Sequence, residues 1–203
     1  ILASTPKGLF AGLEQGNDIV WNSLWEGEVS ALAHAANKQS AVWVAVQNTI
    51  LQLELDGARA QKRGEQVLPI ELPPQDAVTF IKDLSQEGER LWVGTLQSGL
   101  FLYERGEWKR YTVNNGLPGN TVNDLLEVVT PSGEKLTWIA TNDGLVRRTE
   151  REWTVFNTRN SSLPNNIVRC LLLTPSGNIW VGTNNRLGRF NIGNWTVLDT
   201  LNP

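Results

Sequence analysis

Five carboxylates carry most of the chemistry this chain could do: Glu26, Glu28, Asp76, Asp124 and Asp143. Two of them flanking a sugar bond could cleave it as acid and nucleophile. Each also sits where a turn would use a carboxylate to bind its own backbone. The single histidine, His34, lies in the alanine-rich run Ala31-Leu32-Ala33-His34-Ala35-Ala36, far along the chain from the single cysteine, Cys170. One histidine and one cysteine exclude a metal site built from those residues. A nucleophile–histidine pair would have to use His34, and a structural histidine is the simpler reading. Cys170 lies in an apolar run and is expected to be a buried, inert thiol. No phosphate-cradling G-x-G-x-x-G or G-x-x-x-x-G-K-[ST] motif occurs, and no calcium-loop pattern. The sequence thus implies neither cofactor nor metal.

Amides and hydroxyls are more plentiful, and they fall in two sets of turns. One set holds Glu26, Glu28, Asp76, Thr79, Asn120, Asn123, Asn165, Asn166 and Arg169. The other holds Asn142, Asp143, Asn184 and Arg186. Such groups can hydrogen-bond a sugar, a peptide or another small polar molecule. Trp25, in Leu24-Trp25-Glu26-Gly27-Glu28, has no counterpart elsewhere in the chain. It reads as a turn residue and a candidate exposed binding aromatic.

The elements that position these groups are repeated. Leu91-Trp92-Val93-Gly94-Thr95 recurs as Thr137-Trp138-Ile139-Ala140-Thr141 and Ile179-Trp180-Val181-Gly182-Thr183, more weakly as Val42-Trp43-Val44-Ala45-Val46, and in decayed form as Ile1-Leu2-Ala3-Ser4-Thr5. After each phrase comes a turn, then Gly-Leu or a substitute, then an apolar patch that holds Trp21, Trp108, Trp153 or Trp195 in every unit but the second. An Asn/Pro/Gly turn follows, as in Asn114–Asn120 and Asn160–Asn166. A last strand closes the unit: Val29–Ala35, Ala77–Leu84, Val122–Val129 or Ile167–Leu173.

These segments are short, rich in Val, Ile, Leu, Trp and Thr, and bounded by Gly, Asn, Pro and Asp, so they read as strands. No stretch shows helical spacing of apolar residues. Four antiparallel strands in a unit of this length predict an all-β fold, a β-propeller blade. Repeat units near 1–27, 28–75, 76–119, 120–164 and 165–203 predict one domain of five blades. A segment of a seven-bladed ring is the alternative. The first blade lacks its inner strand, and the last ends near Asp199. Thr200–Pro203 are too few to complete the first blade, so self-association through open edges is a further expectation. In such blades Leu91, Val93 and Thr95 face one neighbour while Trp92 and Gly94 face the other.

Together, W-[VI]-[GA]-T-x-x-G-L, a following aromatic strand and N-G-L-P-x-N-x-V resemble the two-component regulator propeller repeat. Gly99–Val122 and Gly144–Ile167 carry the resemblance best. It implies a sensor region, often of a membrane-bound bacterial hybrid histidine kinase, with the propeller outside the cytoplasm binding a ligand. It also implies that ligands meet the two sets of turns at one end of a channel. A non-catalytic binding module for signal transduction is therefore expected, with a protein-interaction scaffold and a rim-carboxylate hydrolase or lyase as alternatives. The implied partners are a small-molecule, glycan or peptide ligand and a signalling kinase region. The implied compartment is periplasmic or extracellular.

Bulk composition agrees. The 203 residues are 40% hydrophobic, with nine Trp, enough for a sizeable core. A formal net charge of −3 gives no support for nucleic acid or an anionic membrane as partner. No apolar run is long enough to span a bilayer. The absence of Met points to a processed product or an excised segment. A lone cysteine fits an exported protein without disulfides and a reducing cytoplasm equally.

Overall fold

The computed structural model describes residues 2–15, 18–36, 40–56, 59–84, 90–130, 132–191 and 194–198. Ile1, Asp199 and Thr200–Pro203, on which some expectations fall, lie outside them. Every element is a strand, and they form five antiparallel sheets. Sheet 1 has three strands: β1 (Leu2–Thr5), β2 (Gly8–Gln15) and β3 (Asp18–Glu26). Sheet 2 has four: β4 (Ala31–His34), β5 (Ala41–Val46), β6 (Thr49–Asp56) and β7 (Arg59–Val67). Sheet 3 comprises β8 (Val78–Asp83), β9 (Arg90–Thr95), β10 (Leu100–Glu104) and β11 (Glu107–Tyr111). Sheet 4 comprises β12 (Val122–Val129), β13 (Lys135–Thr141), β14 (Gly144–Arg148) and β15 (Trp153–Phe156). Sheet 5 comprises β16 (Val168–Leu173), β17 (Ile179–Thr183), β18 (Leu187–Asn191) and β19 (Asn194–Leu198). The chain divides into two compact units, residues 1–93 with 101–109, and residues 94–100 with 110–203.

Within each unit, alternate residues of a strand pack on opposite neighbours, as the pleat dictates. In the first unit, Trp43, Ala45 and Ile50 of sheet 2 meet Val78, Ile81, Leu91, Val93 and Phe101 of sheet 3. The intervening Val42 and Val44, with Leu51 and Leu53, turn the other way, onto Leu9 and Trp25 of sheet 1. In the second unit, Trp138, Ala140 and Leu145 of sheet 4 meet Val168, Leu171, Val181 and Phe190 of sheet 5. Burying both faces of a middle strand explains why the phrase is a continuous apolar run.

Three Trp of the phrase are almost fully buried: Trp43, Trp92 and Trp138. The Trp43 indole donates to Asp83 Oδ2 at 2.9 Å, which also accepts from the Ala36 amide at 3.1 Å. The same place on β16 is Leu173, and Trp138 Nε1 has no acceptor among the described residues. Trp138 instead sits among rings, 4.9 Å from Phe190 and 5.8 Å from Phe156 between centroids.

The threonine that ends the phrase clamps the turn after it. Thr95 and Thr141 Oγ1 donate to the carbonyls of Gly99 and Gly144, both at 2.8 Å, and Thr5 and Thr183 repeat the contact. The same oxygens accept from backbone amides of the turn, including those of Ser98 and Asp143. The glycine that opens the next strand is required by space as well as conformation. Gly144 has φ +141°, and a Cβ there would lie 2.7 Å from the Phe156 carbonyl oxygen.

Three expectations need correction. Trp25 is not in a turn. It lies in β3 opposite Leu9, half-buried, because a register shift between Leu9 and Phe10 turns both Leu24 and Trp25 onto the core. Trp21 is the exposed aromatic of that strand, at 47%. Cys170 is exposed rather than buried. Past the irregularity at Val168/Cys170 it pairs with Gly182 and its sulfur lies over that glycine, on the face of β16 opposite buried Leu171.

Candidate ligand-binding rim

In the first unit, turn residues form a cleft of about 420 Å³. Its size is within the range of small-molecule sites. Three segments build it. Glu28 and Ser30 lead into β4, Gln47 and Asn48 make the β5–β6 turn, and residues 71–74, 76 and 77 come from the β7–β8 connection.

Each wall is held by backbone contacts. The Ser30 amide donates to the Ala45 carbonyl at 3.0 Å, and the Leu68 amide to the Asn48 carbonyl at 2.8 Å. Val46 pairs with Thr49, so Gln47 and Asn48 form a two-residue hairpin turn, and Gln47 takes φ +54°. The Asp76 amide donates to Pro73 O, and Asp76 Oδ1 accepts from the Ala77 amide, both at 2.8 Å. Ser30 Oγ is buried and has no partner among the described residues.

The lining is rich in acceptors. Glu28 and Glu71 are exposed carboxylates, Asp76 is half-buried, and among the described residues no Lys or Arg lines the cleft. Leu72, Pro73 and Pro74 give it an apolar floor segment. The arrangement suits a ligand that presents hydrogen-bond donors on a compact apolar frame.

The second unit uses the same positions differently. Asn123 Nδ2 donates to Asn142 Oδ1 at 2.9 Å and to the Val168 carbonyl at 2.6 Å. One repeat later, Arg169 Nε donates to Asn184 Oδ1 at 2.8 Å. The Asn142 and Asn184 amides donate to the Thr121 and Ile167 carbonyls, at 3.2 and 3.1 Å. Asn120 and Asn166 Oδ1 accept from the Val113 and Thr158 amides, and Asn165 Oδ1 from the Ile167 amide. These amides hold the strand-connecting loops together. The Asp143 carboxylate lies against Gly119, where a Cβ would be 2.1 Å from Oδ2. Asp124 bridges sheets, with Oδ1 accepting from the Leu125 amide and Oδ2 from the Leu171 amide, both at 2.8 Å. Arg186 is exposed beside Asn184 and Asn185 on a wider, shallower hollow of about 720 Å³.

Of the residues nominated from sequence, the structure brings Glu28 and Asp76 to one cleft. It links Asn123 with Asn142 and Arg169 with Asn184. Glu26 ends β3, exposed, and Thr79 is half-buried on β8. Ser30 and Glu71 were missed. The signal was present: Leu72-Pro73 repeats Leu117-Pro118 and Leu163-Pro164, with one extra residue before the next strand. That extra residue hid the correspondence.

Residues 162–185 match the family model described as "two component regulator propeller". No curated protein matches the sequence. Among solved structures, the chain is similar to the extracellular domain of BT4673 of B. thetaiotaomicron, described as a one component system. The identity is 19% and the TM-score 0.66, covering 97% of this chain and 26% of that one. It is similar to the extracellular domain of BT3049 of the same organism, described as a hybrid two component system. Here the identity is 21% and the TM-score 0.66, covering 97% and 28%. The WD40 β-propeller domain of Doa1 is similar at 12% identity and a TM-score of 0.63, covering 100% and 64%. The chain therefore spans about a quarter of the length of the two extracellular domains. These likenesses give the fold, a β-propeller.

Proposed function

We propose that this chain, which carries a two-component regulator propeller repeat at residues 162–185, is a non-catalytic sensory module that binds a small polar ligand. The cleft of the first unit carries this reading. It combines a ligand-sized volume with carboxylates and amides on rigid hairpin ends and an apolar segment from Leu72 to Pro74. A propeller scaffold holds such loops still and leaves specificity to their side chains. The ligand class is a glycan, a peptide or another molecule rich in donors.

The solved extracellular domains of one- and two-component systems support a signalling role and a location outside the cytoplasm. A kinase or regulator region would then be the downstream partner.

Calorimetric titration with neutral oligosaccharides and with short peptides tests the reading. Saturable binding is expected from one class. Combined Glu28→Gln and Asp76→Asn substitutions should weaken it at least tenfold, about 1.4 kcal/mol, without lowering the melting temperature. Equal binding by that variant, or no binding by any class, would overturn the assignment.

A further inference from the structure

Two sheets of this chain show to solvent the kind of face that its other sheets bury. Within both units, each junction joins the same pair of faces. At the sheet 2–sheet 3 and sheet 4–sheet 5 junctions, the forward face carries the phrase tryptophan and, on the same face, the leucine or isoleucine at the start of the next strand: Trp43 with Ile50, and Trp138 with Leu145. The other, the backward face, carries the phenylalanine of the Gly-Leu strand: Phe101 and Phe190.

Sheet 5 presents a forward face at the same positions. Leu172 pairs with Trp180, and Leu187 pairs with Gly182 beside it, so all three side chains point one way. Leu145 is 0% exposed, but its counterpart Leu187 is 40% exposed and Leu172 is 63% exposed. Sheet 1 presents a backward face. Phe10 occupies the position of Phe101, two residues short of the place of Phe190 on the same face, and is half-exposed where they are buried. Ile19 and Trp21 extend that face across Gly12, at 43% and 47% exposure. Gly12 lets the indole lie flat, since a Cβ there would meet its ring at 3.0 Å.

The geometry points to head-to-tail association of two copies of this chain, the forward face of sheet 5 of one stacking on the backward face of sheet 1 of the other. The occupant follows from the interior of the molecule. Every forward face packed within a unit is covered by a backward face, and a second copy of this chain supplies each face with its matching one. Charge agrees: Arg189 lies on the sheet 5 face, across from Trp180, and Glu14 lies on the sheet 1 face, across from Ile19. A contact of sheet 5 with itself would oppose two arginines. Contiguous exposed aromatic and aliphatic area of this kind marks an association surface, and the repeated pairing makes it heterologous.

Sedimentation equilibrium across the micromolar range tests this on the chain as it stands. The wild type is expected to show concentration-dependent mass above the 22.6 kDa of one copy. Trp21→Glu and Leu172→Glu each spoil one face at an exposed site, so each variant alone should run as a monomer with an unchanged melting temperature. Mixed, they should form a heterodimer, because each keeps the face that the other lacks. A wild type that stays monomeric throughout overturns the proposal. Self-association of either variant alone, or a mixture that stays monomeric, refutes the head-to-tail geometry.

Discussion

At the scale of single residues, the repeated threonine shows how one side chain can serve two hydrogen-bond roles. Its hydroxyl donates across a turn and accepts from the same turn, so its conservation between repeats within this chain reflects a clamp rather than a ligand. Asp83 is a stronger case, because one carboxylate oxygen serves both the Trp43 indole and the Ala36 amide. Asp83→Ala should cost about 1–3 kcal/mol, since it strands a buried donor, and urea denaturation would measure it. Asp83→Asn keeps an acceptor and should cost less. Asn123→Ala removes two contacts at once and should destabilise by about 1 kcal/mol in the same experiment. These roles were only half legible in the sequence. Asn, Asp and Thr in turns were evident, but which amides are consumed by the fold depends on contacts between successive repeats. Cys170 was misread for a related reason: an apolar run does not say which of its side chains faces a neighbour.

At the scale of elements, strand order and hairpin chemistry were readable, because Gly, Asn and the Trp phrase recur at matching places. Gly144→Ala tests that reading. The left-handed backbone and the Phe156 carbonyl together predict a loss of about 1–3 kcal/mol. Leu145→Ala should lose about 2–5 kcal/mol by opening a cavity in the sheet 4–sheet 5 core, and thermal melts of the two variants would rank them. Less visible was the β7–β8 connection, whose extra residue displaced Leu72-Pro73 from the register of the later repeats. The register shift in β3 likewise moved Trp25 from an expected turn into the core. Insertions and bulges change the phase of a pattern without changing its composition, so periodicity alone misses them.

At the scale of the whole chain, sheet 2 packs both faces within its unit and the middle strand of sheet 4 is buried, whereas sheets 1 and 5 leave broad apolar areas in water. In a stack of repeats each sheet draws stability from its immediate neighbours. Amide exchange at low protein concentration should therefore be faster in β1–β3 and β16–β19 than in β5 and β13, and mass-spectrometric exchange would resolve it. Uniform protection across all five sheets would contradict this. The sequence could count five units but could not say how far each face is covered, because coverage belongs to neighbours rather than to residues. A last consequence comes from the indole of Trp138, which lacks the carboxylate that Trp43 enjoys. Its seam is held by ring packing and by the Asp124 and Asn123 contacts to sheet 5, but by no hydrogen bond to the indole. Opening this seam in denaturant therefore breaks one indole hydrogen bond fewer than opening the seam around Trp43.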